Sequence, residues 1–244
     1  MLDNIKFIVP DKEGLQNHIV NTQVIDLNTS VNLFTAEEDA CLLKGKYFNM
    51  QVVSSCITAY VKGSLHKMTN LLKGGRSQNF NDLSFCSVSK TISNLKVAFG
   101  LKKTSLTNLE FGLNISISKD PQYFLDYNLL MYDSENHNKD QKFRGKGDYK
   151  EFHKTDYSLK IYNKSKQYGI KSNILRVEVK IVTKRKLNKL GVYSLEDLQK
   201  EDVMNRLYTF LCGELQKLTI IDDFARIEMY PADKNSLNEY TNPH

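Results

Sequence analysis

Three residues on three alternating segments carry the groups that could do chemistry: Glu110 in LEFGLNI, Tyr162 in LKIYNKSKQY and Glu178 in LRVEVKI. Around them stand Lys160, Lys164, Arg176 and Lys180. Successive side chains of a β-strand point to opposite faces. Leu159 and Ile161 therefore go one way, and Lys160, Tyr162 and Lys164 the other. Leu175, Val177, Val179 and Ile181 oppose Arg176, Glu178 and Lys180 in the same manner, and Leu109, Phe111 and Leu113 oppose Glu110, Gly112 and Asn114. If these strands are neighbours, two carboxylates and a phenol converge among cations on the face away from the core. Carboxylate oxygens are hard ligands suited to Mg²⁺ or Mn²⁺. Such an ion polarises phosphoryl oxygens, and Lys or Arg offsets the charge that builds up in the transition state. A tyrosine there could attack phosphorus in line. With its ordinary pKa of about 10 it is a poor nucleophile until its proton is drawn off.

Each of these residues also has a plain alternative. Glu110 could pair with a lysine across the sheet, and Glu178 between Arg176 and Lys180 could be one rung of a solvated charge ladder. Tyr162 is one of 13 tyrosines, and a strand tyrosine is usually half-buried packing. Tyr157, five residues earlier, points to the other side of an uninterrupted strand, and Tyr168 in the following loop could reach the same place. KGGR, residues 73–76, lacks the Ser or Thr after Lys and the strand–loop–helix setting of a nucleotide-binding loop.

The elements that would position these groups are mostly strands. Residues 1–28 offer two short β-like runs, IKFIV and TQVIDL, separated by polar turns. Tyr47 to His66 reads as a long hairpin in which Ile57, Ala59 and Val61 alternate with Thr58, Tyr60 and Lys62. A helix is expected over 81–99, where Phe85, Val88, Ile92, Leu95 and Phe99 share one face, an Asn caps the start and Gly100 ends it. A strand follows over 107–118. Residues 133–156 are the most polar part of the chain and predict a long excursion. After the two strands of the opening paragraph, Ser194 with Asp197 forms a capping box. A second helix is expected over 202–219, with Val203, Leu207, Phe210, Leu211 and Leu218 inward, and ARIEMY makes a last strand. The expected fold is α+β: a largely antiparallel β-sheet with helices packed on one face, built as one domain over residues 1–244.

Composition bounds the class. The chain has 244 residues, a formal net charge of +6 and 34 Lys plus Arg against 28 acids. That excess permits a polyanionic partner without requiring one. No apolar run approaches the roughly 18 residues of a membrane span. The amino terminus lacks the basic head and apolar middle of a secretory signal. Cys41, Cys56, Cys86 and Cys212 are far apart with no CxxC pair, which predicts reduced, mostly buried thiols in a cytosol and no zinc site.

In order along the chain, GSLHKMTN, a following NF and helix, LEFGLNI, LKIYNKSKQY, LRVEVKI and LGVYSLEDL resemble the rolling-circle replication initiators of staphylococcal-type plasmids and single-stranded DNA phages. The likeness spans about residues 45–200, and the IYNK … LRVEVK pair is its most specific part. It implies a catalytic core over about 45–184 with a helical and strand extension over 185–244. The implied activity is a metal-dependent nicking and joining endonuclease, acting on a single-stranded or supercoiled replication origin in a bacterial cytoplasm. Its tyrosine would attack a phosphodiester, keep the 5′-phosphate and free a 3′-hydroxyl. Carried over residue by residue, Tyr162 is that tyrosine, and Glu110 and Glu178 are the acids expected to hold Mg²⁺ or Mn²⁺. Lys164 and Arg176, read from the strand faces themselves, are expected to assist by contacting the phosphate. The His–hydrophobic–His pair that many such initiators carry is absent, so the metal falls to carboxylates, with His66 as an extra ligand or phosphate contact. Lys160, Lys180, Lys142, Arg144 and Lys146 are the expected DNA contacts. A host helicase and a second copy of the chain are further partners that this class admits. The alternative is an origin-binding protein that keeps the scaffold without the chemistry.

Overall fold

The structure, a computed structural model, describes residues 2–31, 34, 38–133, 135 and 149–221. The elements in order are β1 (Leu2–Val9), α1 (Lys12–Thr22), β2 (Asn28–Val31), β3 (Glu38–Tyr47), β4 (Met50–Ser54), β5 (Ala59–Ser64), α2 (Leu65–Leu72) and α3 (Phe85–Ala98). Then come β6 (Ser105–Ser116), α4 (Pro121–Tyr127), β7 (Leu129–Tyr132), β8 (Tyr149–His153), β9 (Tyr157–Asn163), α5 (Lys164–Tyr168) and β10 (Ile174–Ile181). The last are α6 (Lys184–Lys189), a 3₁₀ turn (Glu196–Gln199), α7 (Glu201–Leu215) and β11 (Leu218–Ile221). Nine strands form one sheet in the order β2-β3-β4-β5-β1-β6-β10-β9-β8, and β7 pairs with β11 separately. The registers of β1 with β5 and β6, of β2 through β5, and of β8 with β9 are antiparallel. The fold is α+β with helices packed around a largely antiparallel sheet, as the alternation of apolar residues implied.

The chain packs as two compact units, Met1–Phe111 with Lys180–Leu207, and Gly112–Val179 with Tyr208–His244. In the first, Ile5, Phe7 and Val9 of β1, Val52 and Val61, Leu65 and Met68 of α2, and Val88, Ile92 and Leu95 of α3 are all buried. The helix α2 packs on both β1 and α3. In the second unit, α4 packs on β9. Phe152, Leu159, Ile161, Val177 and Val179 form the apolar layer there.

Two helices depart from the expected pattern: α1 occupies residues read as polar turns, and α2 takes over the end of the hairpin arm. The run TQVIDL, expected as a strand, forms none, and β2 starts only at Asn28. Residues 12–22 form α1, capped by Asp11, whose carboxylate accepts from the Gly14 N–H at 2.9 Å. It buries only Leu15 and Ile19, one turn apart, so its apolar signal is too thin to read as periodic. The expected hairpin arm ends at Ser64, which caps α2 by accepting from the Lys67 N–H at 3.1 Å. The helix expected from residue 81 begins later, at the Ser84 cap, and Gly100 ends it in the left-handed region at φ 60°. Within the polar excursion, residues 149–153 form β8. The second C-terminal helix is α7, which stops at Leu215; Leu218 belongs to β11. ARIEMY lies outside the described residues. Cys56 is disulfide-bonded and Cys86 is an exposed free thiol, against the expectation of reduced, mostly buried cysteines. No helix among the described residues is long and apolar enough to cross a membrane.

Candidate active site

The YNK sequence has a local physical meaning. Asn163 ends β9 and caps α5, its side-chain oxygen accepting from the Lys166 N–H at 2.9 Å. Its amide donates in turn to Asp120 at 3.2 Å, the residue that caps α4. The abrupt change from strand to helix turns Lys164 back over Tyr162 instead of letting it continue the alternation. Lys164 Nζ donates to the Tyr162 hydroxyl at 3.1 Å. That hydroxyl donates to Glu178 Oε2 at 3.2 Å, and Arg176 Nε donates to the same oxygen at 3.2 Å. Arg176 Nη1 reaches Asn114 Oδ1 at 3.2 Å. Four residues expected to act together, Tyr162, Lys164, Arg176 and Glu178, are therefore in one hydrogen-bonded chain within the second unit.

Their surroundings differ from expectation. The sequence predicts a solvated polar face, yet Lys164 and Arg176 are 0% exposed and Tyr162 and Glu178 each 7%. Strand β10 is buried on both faces over Ile174–Val179, so its charged alternate residues are covered too. Charges so placed are tolerated only when paired and hydrogen-bonded, as this set is. Chemically the arrangement offers a phenol between a carboxylate that can take its proton and an ammonium that offsets negative charge on its oxygen. Lys160 stays half-exposed on β9, its ammonium 4.2 Å from the Tyr149 ring centroid and 5.6 Å from that of Tyr162.

Each of the three expected metal ligands is engaged by other side chains, Glu178 by Tyr162 and Arg176. Glu110 lies on β6 in the first unit, accepting from Asn4 Nδ2 at 2.5 Å and paired with Lys180 at 3.4 Å. This is the cross-strand pair that its plain alternative described. His66 is the second residue of α2, wholly buried, with Nε2 3.1 Å from Asn81 Oδ1. Its position inside a helix replaces the strand-end position from which it was expected to reach a phosphate. No group of three or more His, Cys, Asp or Glu side chains placed to hold a metal occurs among the described residues. Lys142, Arg144 and Lys146 lie outside the described residues.

A second polar cluster in the same unit was not anticipated. Glu214 of α7 is buried and accepts from the hydroxyls of Tyr132 and Tyr157, the latter at 2.9 Å, while Lys217 donates to it at 3.0 Å. The two phenol oxygens are 3.0 Å apart. Burial first, then the Glu214 carboxylate, push both phenols above the ordinary tyrosine range. The signal in the sequence is a carboxylate at the next step of an apolar stripe, after Val203, Leu207 and Leu211.

No protein-family model matches this chain, and no curated protein matches it. Among solved structures it is similar to a rolling circle replication initiator protein from Geobacillus stearothermophilus, with 12% identity, a TM-score of 0.48, and coverage of 97% of this chain and 89% of that one.

Proposed function

We propose that the protein is a tyrosine-dependent nucleotidyl transferase that nicks and rejoins DNA to start rolling-circle replication. The observation that carries this is the Tyr162 hydroxyl between Glu178 at 3.2 Å and Lys164 at 3.1 Å. The order of motifs along the chain supports it. In the proposed step the Tyr162 proton passes to Glu178 as the phenolic oxygen bonds to phosphorus. The bond from phosphorus to the 3′ oxygen breaks, and that oxygen takes a proton from solvent water to become a free 3′-hydroxyl. Glu178 returns its proton to solvent, so no net proton is gained or lost. One phosphodiester replaces another, so the reverse step reseals the strand with no external energy source. Lys164 offsets charge on the phenolic oxygen, and Arg176 holds Glu178 in place. The protein's contribution is position and electrostatics, which a packed sheet supplies.

The side chains described do not fit a resident divalent cation. His66 is enclosed in α2, Glu110 and Glu178 are each engaged by a cation, and no cluster of three donors is present among the described residues. The proposed step therefore uses only the chain's own groups. The assay is a labelled single-stranded origin oligonucleotide incubated with Mn²⁺, with Mg²⁺ and with a chelator, and scored for a covalent protein–DNA adduct. Tyr162→Phe should abolish the adduct and leave binding intact. An adduct that survives Tyr162→Phe would refute the assignment.

The near-complete burial of the cluster favours a second reading, in which it fixes the β9–β10 register of an origin-binding protein without chemistry. That protein would bind DNA with a steep salt dependence and form no adduct under any of the three conditions.

A further inference from the structure

Five strands of the first unit carry a continuous row of polar side chains in direct register. Lys46 of β3 faces Gln51 of β4, Gln51 faces Lys62 of β5, Lys62 faces Lys6 of β1, and Lys6 faces Asn108 of β6. Directly opposed residues in antiparallel pairs share a face, so the row runs across the sheet and not along it. Four gaps between neighbouring strands make it about 19 Å long. The row floors an open cleft of about 490 Å³, in which Asn4 and Asn49 add two more amides. A second cleft of about 470 Å³ shares Asn49 and Gln51 and adds Lys44 and Lys46. Lys62 directly opposite Lys6 is a like-charge pair, which destabilises a sheet. The Tyr60 ring lies 4.4 Å from Lys6 Nζ and 5.9 Å from Lys62 Nζ, a cation–π arrangement that holds both ammonium groups over the face. The carboxylate that lines the cleft, Glu110, already has Lys180 beside it.

We propose that this row is a binding track for a single-stranded nucleic acid. Lysines opposed to each other at a stability cost match a chain of phosphates. Gln51 and Asn108, level with them, present a donor and an acceptor to base edges, and Tyr60 offers a ring for stacking. A row about 19 Å across five strands is wider than the duplex major groove of about 12 Å, whereas an unpaired strand can lay its bases on it. The row itself is independent of Tyr162; identifying its polyanion as nucleic acid rests on the function proposed for the Tyr162 site.

The test is fluorescence anisotropy of the full chain with a labelled 20-nucleotide mixed-sequence single strand, its duplex form and inorganic polyphosphate, over a salt series. Single-strand affinity should exceed both others. In Lys6→Gln with Lys62→Gln, the slope of log K against log salt should fall by about 1.4, or 0.7 per phosphate contact. Lys6→Arg with Lys62→Arg should keep the slope. Lys171→Gln with Lys189→Gln, the same charge loss elsewhere, should leave it unchanged. Thermal melts identify any variant that fails to fold, and the arginine pair then carries the comparison. An unchanged slope in the glutamine pair, or tighter binding of duplex or polyphosphate, overturns the proposal. If that pair binds as the parent does while Tyr162 still forms its adduct, the track falls and the nucleotidyl-transfer reading stands. If the slope falls and no adduct forms under any condition, the track stands and the nucleotidyl-transfer reading falls.

Discussion

Gly112 and Glu178 touch backbone to backbone: a Cβ on residue 112 would lie 2.6 Å from Glu178 Cα and 2.0 Å from the Val177 carbonyl oxygen. No side chain fits there. The glycine in LEFGLNI thus lets β6 approach the strand that presents Glu178. Gly112→Ala should lower stability by about 1–3 kcal/mol, as overpacking does, measured as a reduced midpoint of urea unfolding. Gly213, inside α7, meets nothing within 4 Å. Gly213→Ala should raise stability by up to about 1 kcal/mol through helix propensity alone. The opposite signs separate contact from backbone entropy.

Arg176 and Glu178 form a buried pair at 3.2 Å. Removing one partner strands the other charge, so Arg176→Met should cost about 3–5 kcal/mol. Combining it with Glu178→Gln should recover part of that loss, since the remaining group is neutral. A double-mutant cycle from denaturant unfolding checks this; full additivity of the two losses would contradict the pairing.

Tyr157 and Tyr162 should respond differently to loss of their hydroxyls. Tyr157→Phe removes one of the donors to buried Glu214 and should cost about 1–2 kcal/mol of stability. The protein–DNA adduct should persist in that variant. Loss of the adduct in a folded Tyr157→Phe protein would move the nucleophile to the Glu214 cluster.

Two groups make stability rise with pH, one in the acid range and one in the basic range. Burial opposes ionisation of Asp197, but Lys200 at 2.7 Å and the Tyr193 and Ser194 N–H groups take its pKa from 3.8 down to about 2. A depressed carboxylate contributes stability that is present above 3.8 and lost as pH falls through about 2. Asp197→Asn should flatten that acid limb and cost about 2 kcal/mol at neutral pH. Lys150 is lowered from 10.5 to about 8 by burial, with Asp126 opposing. The unfolded chain then binds more protons between 8 and 10.5, so this group makes stability rise with pH across that window. Lys150→Met should remove that rise in pH-dependent melts.

Much of the site is legible in the residues alone. The alternation of LKIYNK and LRVEVKI puts Tyr162 and Glu178 on strands, and β9 and β10 are neighbours in the sheet. Asn163 is legible as a polar residue but not as the cap that swings Lys164 back, because capping depends on where the strand stops. The helix α1 and the start of α2 escape a reading of periodicity, since a two-residue apolar stripe and a β-branched hairpin arm look alike at that length. The metal set of Glu110, Glu178 and His66 follows from residue type, and type says nothing about which element a histidine joins.

What the sequence determined by itself was the period of its elements: side chains alternate on a strand whatever surrounds it, so each segment's two faces were defined in advance. Which face meets water was decided only by tertiary packing. Burial depends on what lies across from a strand, and that is set by residues far along the chain. Arg176 and Lys164 thus changed from surface cations to buried partners of Glu178 and Tyr162, while Lys6, Gln51, Lys62 and Asn108, unremarkable in four separate segments, became one row.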